Sequence, residues 1–122
     1  MTNPLAPLIG ACVWAWMPES EDVLVPGPKL RPTLILEADE HGVLVAYGTS
    51  QKTDRYGAGE FVVTPDEMPG LSKATKFCLA KAFRLPFNKA FFLQHGQLKV
   101  AGILPTSAKR KLALAAEEVG FI

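Results

Sequence analysis

The chain has little of several things that would fix its chemistry at once. Its 122 residues hold two cysteines, too few for a disulfide framework, and neither Cys12 nor Cys78 has a CxxC partner or a nearby His. Both sit in apolar runs and read as small buried hydrophobes. There is no Gly-rich phosphate loop, no His/Cys/Asp metal spacing and no Gly-x-Ser-x-Gly elbow, so no cofactor and no metal is expected. No apolar run approaches the roughly 20 residues that cross a bilayer. Residues 1–11 lack Lys and Arg, the charged start of a signal peptide. The expectation is a cytoplasmic protein without a membrane partner. An excess of one charge is missing too, since 13 Lys and Arg against 12 Asp and Glu leave a net charge of +1. Binding nucleic acid by bulk charge is excluded, whereas a local basic groove is not.

What is present is a chain 48% hydrophobic, of the length of one domain, cut into short segments by ten prolines and ten glycines. Residues 12–16, 32–36, 43–47, 61–63, 77–85 and 98–103 read as strands. Asp39-Glu40-His41-Gly42 is a polar turn ending in Gly, so the second and third runs form a hairpin. Residues 18–30 are acidic, then rich in Pro and Gly, and read as a surface loop. Residues 48–59 are polar and too long for a simple turn, and long loops inside small domains are often functional. Thr64-Pro65-Asp66-Glu67 reads as a helix start. Near the C-terminus, Thr106 or Ser107 precedes a helix with apolar positions Ala108, Leu112, Ala115, Ala116 and Val119, and Gly120 stands where it would end. The expected fold is mainly β: a small barrel or curled sheet closed by one C-terminal helix, in a single domain over residues 1–122.

The order of these elements resembles the PemK/MazF family of toxin endoribonucleases. The residues that carry the resemblance are the strand Gly10-Ala11-Cys12-Val13-Trp14, the loop ending Lys29-Leu30-Arg31-Pro32, and the strand Thr33-Leu34-Ile35-Leu36. They continue with the strand ending Tyr47-Gly48-Thr49-Ser50 and with Ala101-Gly102-Ile103-Leu104-Pro105 before the last helix. The tracts 45–53, 59–61 and 71–77 resemble a less studied branch of that family. The likeness covers residues 10–120. It implies an SH3-like barrel of PemK type with about five to seven strands, usually a homodimer. It also implies metal-independent cleavage of single-stranded RNA at short sequences, with an antitoxin protein as the partner that holds the enzyme inactive.

Arg31 matches the family's Arg-Pro arginine, and its fork of donors suits two phosphate oxygens. Thr49 matches the threonine ending the family's third strand, and its hydroxyl suits the phosphate or the 2′-hydroxyl. The plainer reading of Thr49 and Ser50 is a turn bonded to its own backbone. Gln51, Lys52, Thr53, Asp54, Arg55 and Tyr56 combine cations, a ring and hydrogen-bonding groups, the mixture that holds single-stranded RNA, and Lys29 extends the cationic strip. A general base is harder to name. His41 and His95 fall outside the motif, while Asp54 and Glu60 qualify if burial raises their pKa. Glu19, Glu21 and Asp22 in the first loop either repel RNA or supply the base.

Trp14 and Trp16 share one side of a strand and read as core or dimer surface rather than a stacking platform. Lys109-Arg110-Lys111 is most simply a solvated face, with binding of RNA or an acidic partner as the lesser reading. The aromatic stretch around Phe83, Phe87, Phe91 and Phe92 supplies core and offers a partner surface. That stretch supports the alternative to an enzyme: a protein of the same fold, phage- or plasmid-borne, that binds and inhibits a host protein.

Overall fold

A computed structural model describes residues 9–17, 27, 29–51, 53–54, 57–85, 89–94 and 97–120. Short β-branched and aromatic runs separated by polar turns build antiparallel strands here, as their composition favours. Strand β1 (Ala11–Trp16) pairs with β2 (Leu30–Asp39), which turns back into β3 (Gly42–Thr49). The Asp39 carboxylate closes that hairpin by accepting from the backbone N–H groups of His41 at 2.8 Å and Gly42 at 3.1 Å. Then follow β4 (Glu60–Val63), β5 (Thr75–Cys78), β6 (Phe83–Leu85), a short helix α1 (Lys89–Phe92), β7 (Leu93–Gln94), β8 (Gln97–Leu98), β9 (Val100–Ile103) and the long helix α2 (Thr106–Glu118). One curled antiparallel sheet runs β4-β5-β3-β2-β1-β9, with β6 beside the first half of β3, while β7 and β8 form a separate ribbon. The expected class, a curled β sheet with a C-terminal helix, is the one observed. No helix among the described residues is long and apolar enough to cross a membrane.

The sheet buries both faces, because alternate residues of one strand serve different cores. Cys12, Leu34, Ala46, Phe61 and Phe77 pack with α2 on one side. Val13, Ile35, Val45, Leu85, Phe91 and Phe92 pack on the other. Helix α2 presents Ala108, Ala115 and Ala116 to the first core, with Leu112 and Val119 half-buried at its margin. Gly120 follows the helix with φ +71°, a backbone that a side chain disfavours.

Four local expectations are corrected. Residues 77–85 are two strands, not one. β5 pairs with the end of β3 and β6 with its start, in registers three residues apart; the 3-10 turn Leu79–Lys81 absorbs that offset and buries Leu79. The helix start at Thr64 stops after one turn. Thr64 and Glu67 cap each other reciprocally, the Glu67 N–H on Thr64 Oγ1 and the Thr64 N–H on Glu67 Oε1, but Pro69 and Gly70 end the turn. Helix α2 has Pro105 at its N-cap with no side-chain bond. The Ser107 hydroxyl goes instead to Glu67 Oε2 at 2.6 Å. Finally, Phe91 and Phe92 are buried, and Phe83 is half-buried against the same core. The second face of the sheet needs a cover, and Phe91 and Phe92 provide it, so these two are core. Phe87 lies outside the described residues.

Candidate functional site

Antiparallel pairing brings the two motif residues together. Arg31, at the start of β2, and Thr49, at the end of β3, lie just beyond the Thr33–Tyr47 pair that ends the β2–β3 ladder. Arg31 and Thr49 line one open cleft of about 340 Å³ at this rim, together with Lys29, Ser50, Gln51 and Trp14. The guanidinium of Arg31 lies 5.7 Å from the centroid of the Tyr47 ring, within cation–π range. That contact limits the directions in which a half-buried arginine can swing. Thr49 makes the turn bond of the plainer reading, its Oγ1 accepting from the Gln51 N–H at 3.2 Å. Such a bond uses a lone pair and leaves the hydroxyl proton to donate into the cleft.

Ser72 and Lys73, which were given no role from the sequence, also line the cleft, beside the buried Thr75. They sit just before β5, which lies across the end of β3 with Thr49 opposite Lys76. Their sequence signal was a polar pair between the Pro69-Gly70 turn and a strand. Trp14 is half-buried, packs against the first core and forms part of the wall. Lys29, Arg31 and Lys73 therefore face the same space, and no carboxylate is among the described residues lining it.

A second cavity of about 220 Å³ adjoins the first, with Thr49 and Gln51 lining both. Its other walls come from three neighbouring strands: Tyr47 on β3, Lys76 and Cys78 on β5, and Glu60 on β4. Cys78 is thus half-buried at a cavity wall, unlike the fully buried Cys12, whose thiol burial pushes up to about 12. Glu60 Oε2 lies 3.2 Å from Lys76 Nζ, and its Oε1 accepts from the Gly57 N–H. The Gly57 bond first, and then Lys76, hold the Glu60 carboxyl below its ordinary value against the opposing effect of burial. This is opposite to the direction a general base requires, so Glu60 is a standing anion here rather than a poised proton acceptor.

His41 lies at the far end of the β2–β3 hairpin. The eight residues of β3 span about 23 Å at a rise of about 3.3 Å per residue, so His41 does not reach the cleft. Lys111 is tied into the fold: its Nζ is 2.8 Å from Glu67 Oε1 and 3.0 Å from the Val62 carbonyl. Asp54 is exposed and lines neither cavity. Lys52, Arg55, Tyr56, His95, Glu19, Glu21 and Asp22 lie outside the described residues.

No protein-family model matches the chain, and no curated protein matches it in sequence.

Proposed function

We propose that the protein is a metal-independent endoribonuclease of PemK/MazF type, cleaving single-stranded RNA in the cytoplasm. The observation that carries this reading is the meeting of Arg31 and Thr49, from two strands, in one cleft with Lys29 and Lys73. The reaction has the ribose 2′-hydroxyl attack the adjacent phosphorus and lose its proton, while the bond to the 5′-oxygen breaks and that oxygen gains one. The products are a 2′,3′-cyclic phosphate and a free 5′-hydroxyl. Charge grows on the non-bridging oxygens in the transition state, and a guanidinium with further cations in the same cleft stabilises that charge more than the ground state. Thr49 and Ser50 donate to the same phosphate, while Gln51 reaches towards the adjoining nucleotide. Lys52, Arg55 and Tyr56, on the same loop, are proposed to hold the strand further along.

Two partners belong to this reading. One is an antitoxin protein that covers the cleft. The other is a second copy of the chain, docked along β9, the outermost described strand on its side of the sheet, which exposes Val100 and Ile103.

The test is incubation of long single-stranded RNA with the protein in EDTA, beside the Arg31→Ala variant. Discrete fragments ending in cyclic phosphate are expected from the wild type. The variant is expected to be slower by at least about a hundredfold, the usual loss for one transition-state donor, with an unchanged thermal unfolding curve. Intact RNA in both reactions returns the protein to the class of binding proteins. Equal cutting by both removes Arg31 from the site.

A further inference from the structure

The smaller cavity beside Thr49 has walls of a different kind from those of the cationic cleft. Besides the Tyr47 ring it offers an amide, Gln51, and a carboxylate, Glu60, braced by Lys76. At about 220 Å³ it falls below the range of roughly 300–1,000 Å³ typical of drug-sized ligands, a scale that suits one ring system. Because Thr49 and Gln51 line both spaces, the two adjoin and can take neighbouring groups of one strand. We propose that this cavity receives the base of the nucleotide adjoining the phosphate in the cleft, and that Glu60 selects guanine there. The inference rests on the ribonuclease reading and adds the specificity of the same site.

The selection follows from donor counting. An ionised carboxylate has two oxygens and about four lone-pair positions, and it only accepts. In Glu60 one position on each oxygen is used, by the Gly57 N–H and by Lys76, which leaves one on each oxygen. Guanine alone among the four RNA bases presents two adjacent N–H donors on its Watson–Crick edge, N1–H and the N2 amine. Adenine and cytosine offer a single amine beside a ring acceptor, whose lone pair would face the carboxylate and be repelled. Uracil offers one imide N–H between two carbonyls. The Gly57 bond and the Lys76 ion pair keep Glu60 ionised, so it does not turn into a donor that would welcome the other bases. The side-chain amide of Gln51, donor and acceptor at once, suits the remaining O6 or N7. Lys81, at the same cavity, suits the following phosphate.

Fluorescence anisotropy with 2′-O-methyl RNA hexamers, which bind but are not cut, tests this directly. A set with one guanine is compared with the same set carrying inosine, which lacks only the N2 amine, or adenine at that position. The wild type is expected to bind the guanine hexamer at least about tenfold more tightly than its inosine twin, the scale of one lost hydrogen bond to a charged group. In Glu60→Gln that ratio falls towards one. Equal affinity for guanine and inosine in the wild type overturns the proposal without recourse to any variant. A ratio that survives in Glu60→Gln overturns it as well. Failure of the wider reading looks different: RNA that is cut and bound without guanine dependence sinks only the subsite, whereas hexamers that do not bind at all sink both.

Discussion

At Gly48 one methyl group would reshape the cleft. A Cβ built there stands 2.3 Å from Thr75 Cγ2 and 2.8 Å from Phe77 Cε1, closer than real carbon contacts come. Glycine at this point lets β5 lie directly across the end of β3. That close approach puts Thr49 opposite Lys76 and brings Lys73 into the cleft with Arg31. Gly48→Ala should therefore push β5 away, costing about 1–3 kcal/mol as overpacked sites do, and slow RNA cleavage in a protein that still folds. Chemical denaturation and the cleavage assay measure the two effects. A variant as stable and as active as the wild type shows that this approach is not what the glycine serves. Arg31 follows the same logic of restraint, since the Tyr47 ring below it limits how much rotamer freedom phosphate binding must remove.

Between elements, a cluster of polar bonds joins α2 to the turn after β4. Glu67 Oε1 accepts from Lys111 at 2.8 Å and from the Thr64 N–H at 3.2 Å, while Oε2 accepts from Ser107. Burial alone would raise the Glu67 pKa, but these donors more than offset it and bring the carboxyl down to about 2 from 4.5. A carboxyl lowered by folding contributes stability above its unfolded pKa and loses it as pH falls through the folded value. Glu67 thus stabilises the protein fully at neutral pH, and that contribution fades between about pH 4.5 and about pH 2. Glu67→Gln is expected to cost about 2 kcal/mol at neutral pH, the scale of hydrogen bonds to a charged group, and to flatten the acid limb of stability against pH. Glu60 and Asp39 are lowered as well, so the difference between wild type and variant is the informative quantity. A variant whose stability differs equally from the wild type at every pH refutes the assignment. These contacts also show which parts of the molecule were legible in sequence. The β2–β3 hairpin was, because its turn residues and apolar alternation are local. Arg31 and Thr49 were named from the family resemblance, not from the hairpin. Ser72, Lys73 and the Glu60–Lys76 pair were not legible, because their positions depend on where β5 docks, which Phe77 and Gly48 decide from far apart in the chain. The lowered pKa of Glu60 was hidden for the same reason, as its cause is a cross-strand lysine and a turn N–H.

On the scale of the whole molecule, a net charge of +1 conceals a sorted surface. At the hairpin end Glu37 and Asp39 are each paired with Arg84 at 3.1 Å, whereas at the opposite rim Lys29, Arg31 and Lys73 line the cleft with no carboxylate among its described lining residues. That separation focuses a field for an anionic strand without making the protein basic overall. The β9 edge is sorted differently again. Ile103 is 71% exposed and Val100 46%, and Ile9, next to the segment that pairs with β9, is 51% exposed. An outer strand with unpaired backbone and apolar side chains is a template for another strand, and proteins that must stay single place charges there instead. Lys99 borders β9, but the strand Val100–Ile103 carries no charge of its own. Pairing β9 with β9 of a second copy satisfies those backbone groups and covers the three aliphatic side chains, in the self-complementary manner of a two-fold interface. Sedimentation of the wild type at micromolar concentration should give twice the mass of the chain, and Ile103→Lys, which sets like charges against each other across the axis, should give the monomer with an unchanged circular dichroism spectrum. A wild type that sediments as a monomer ends the dimer proposal. A variant that remains dimeric moves the interface away from β9.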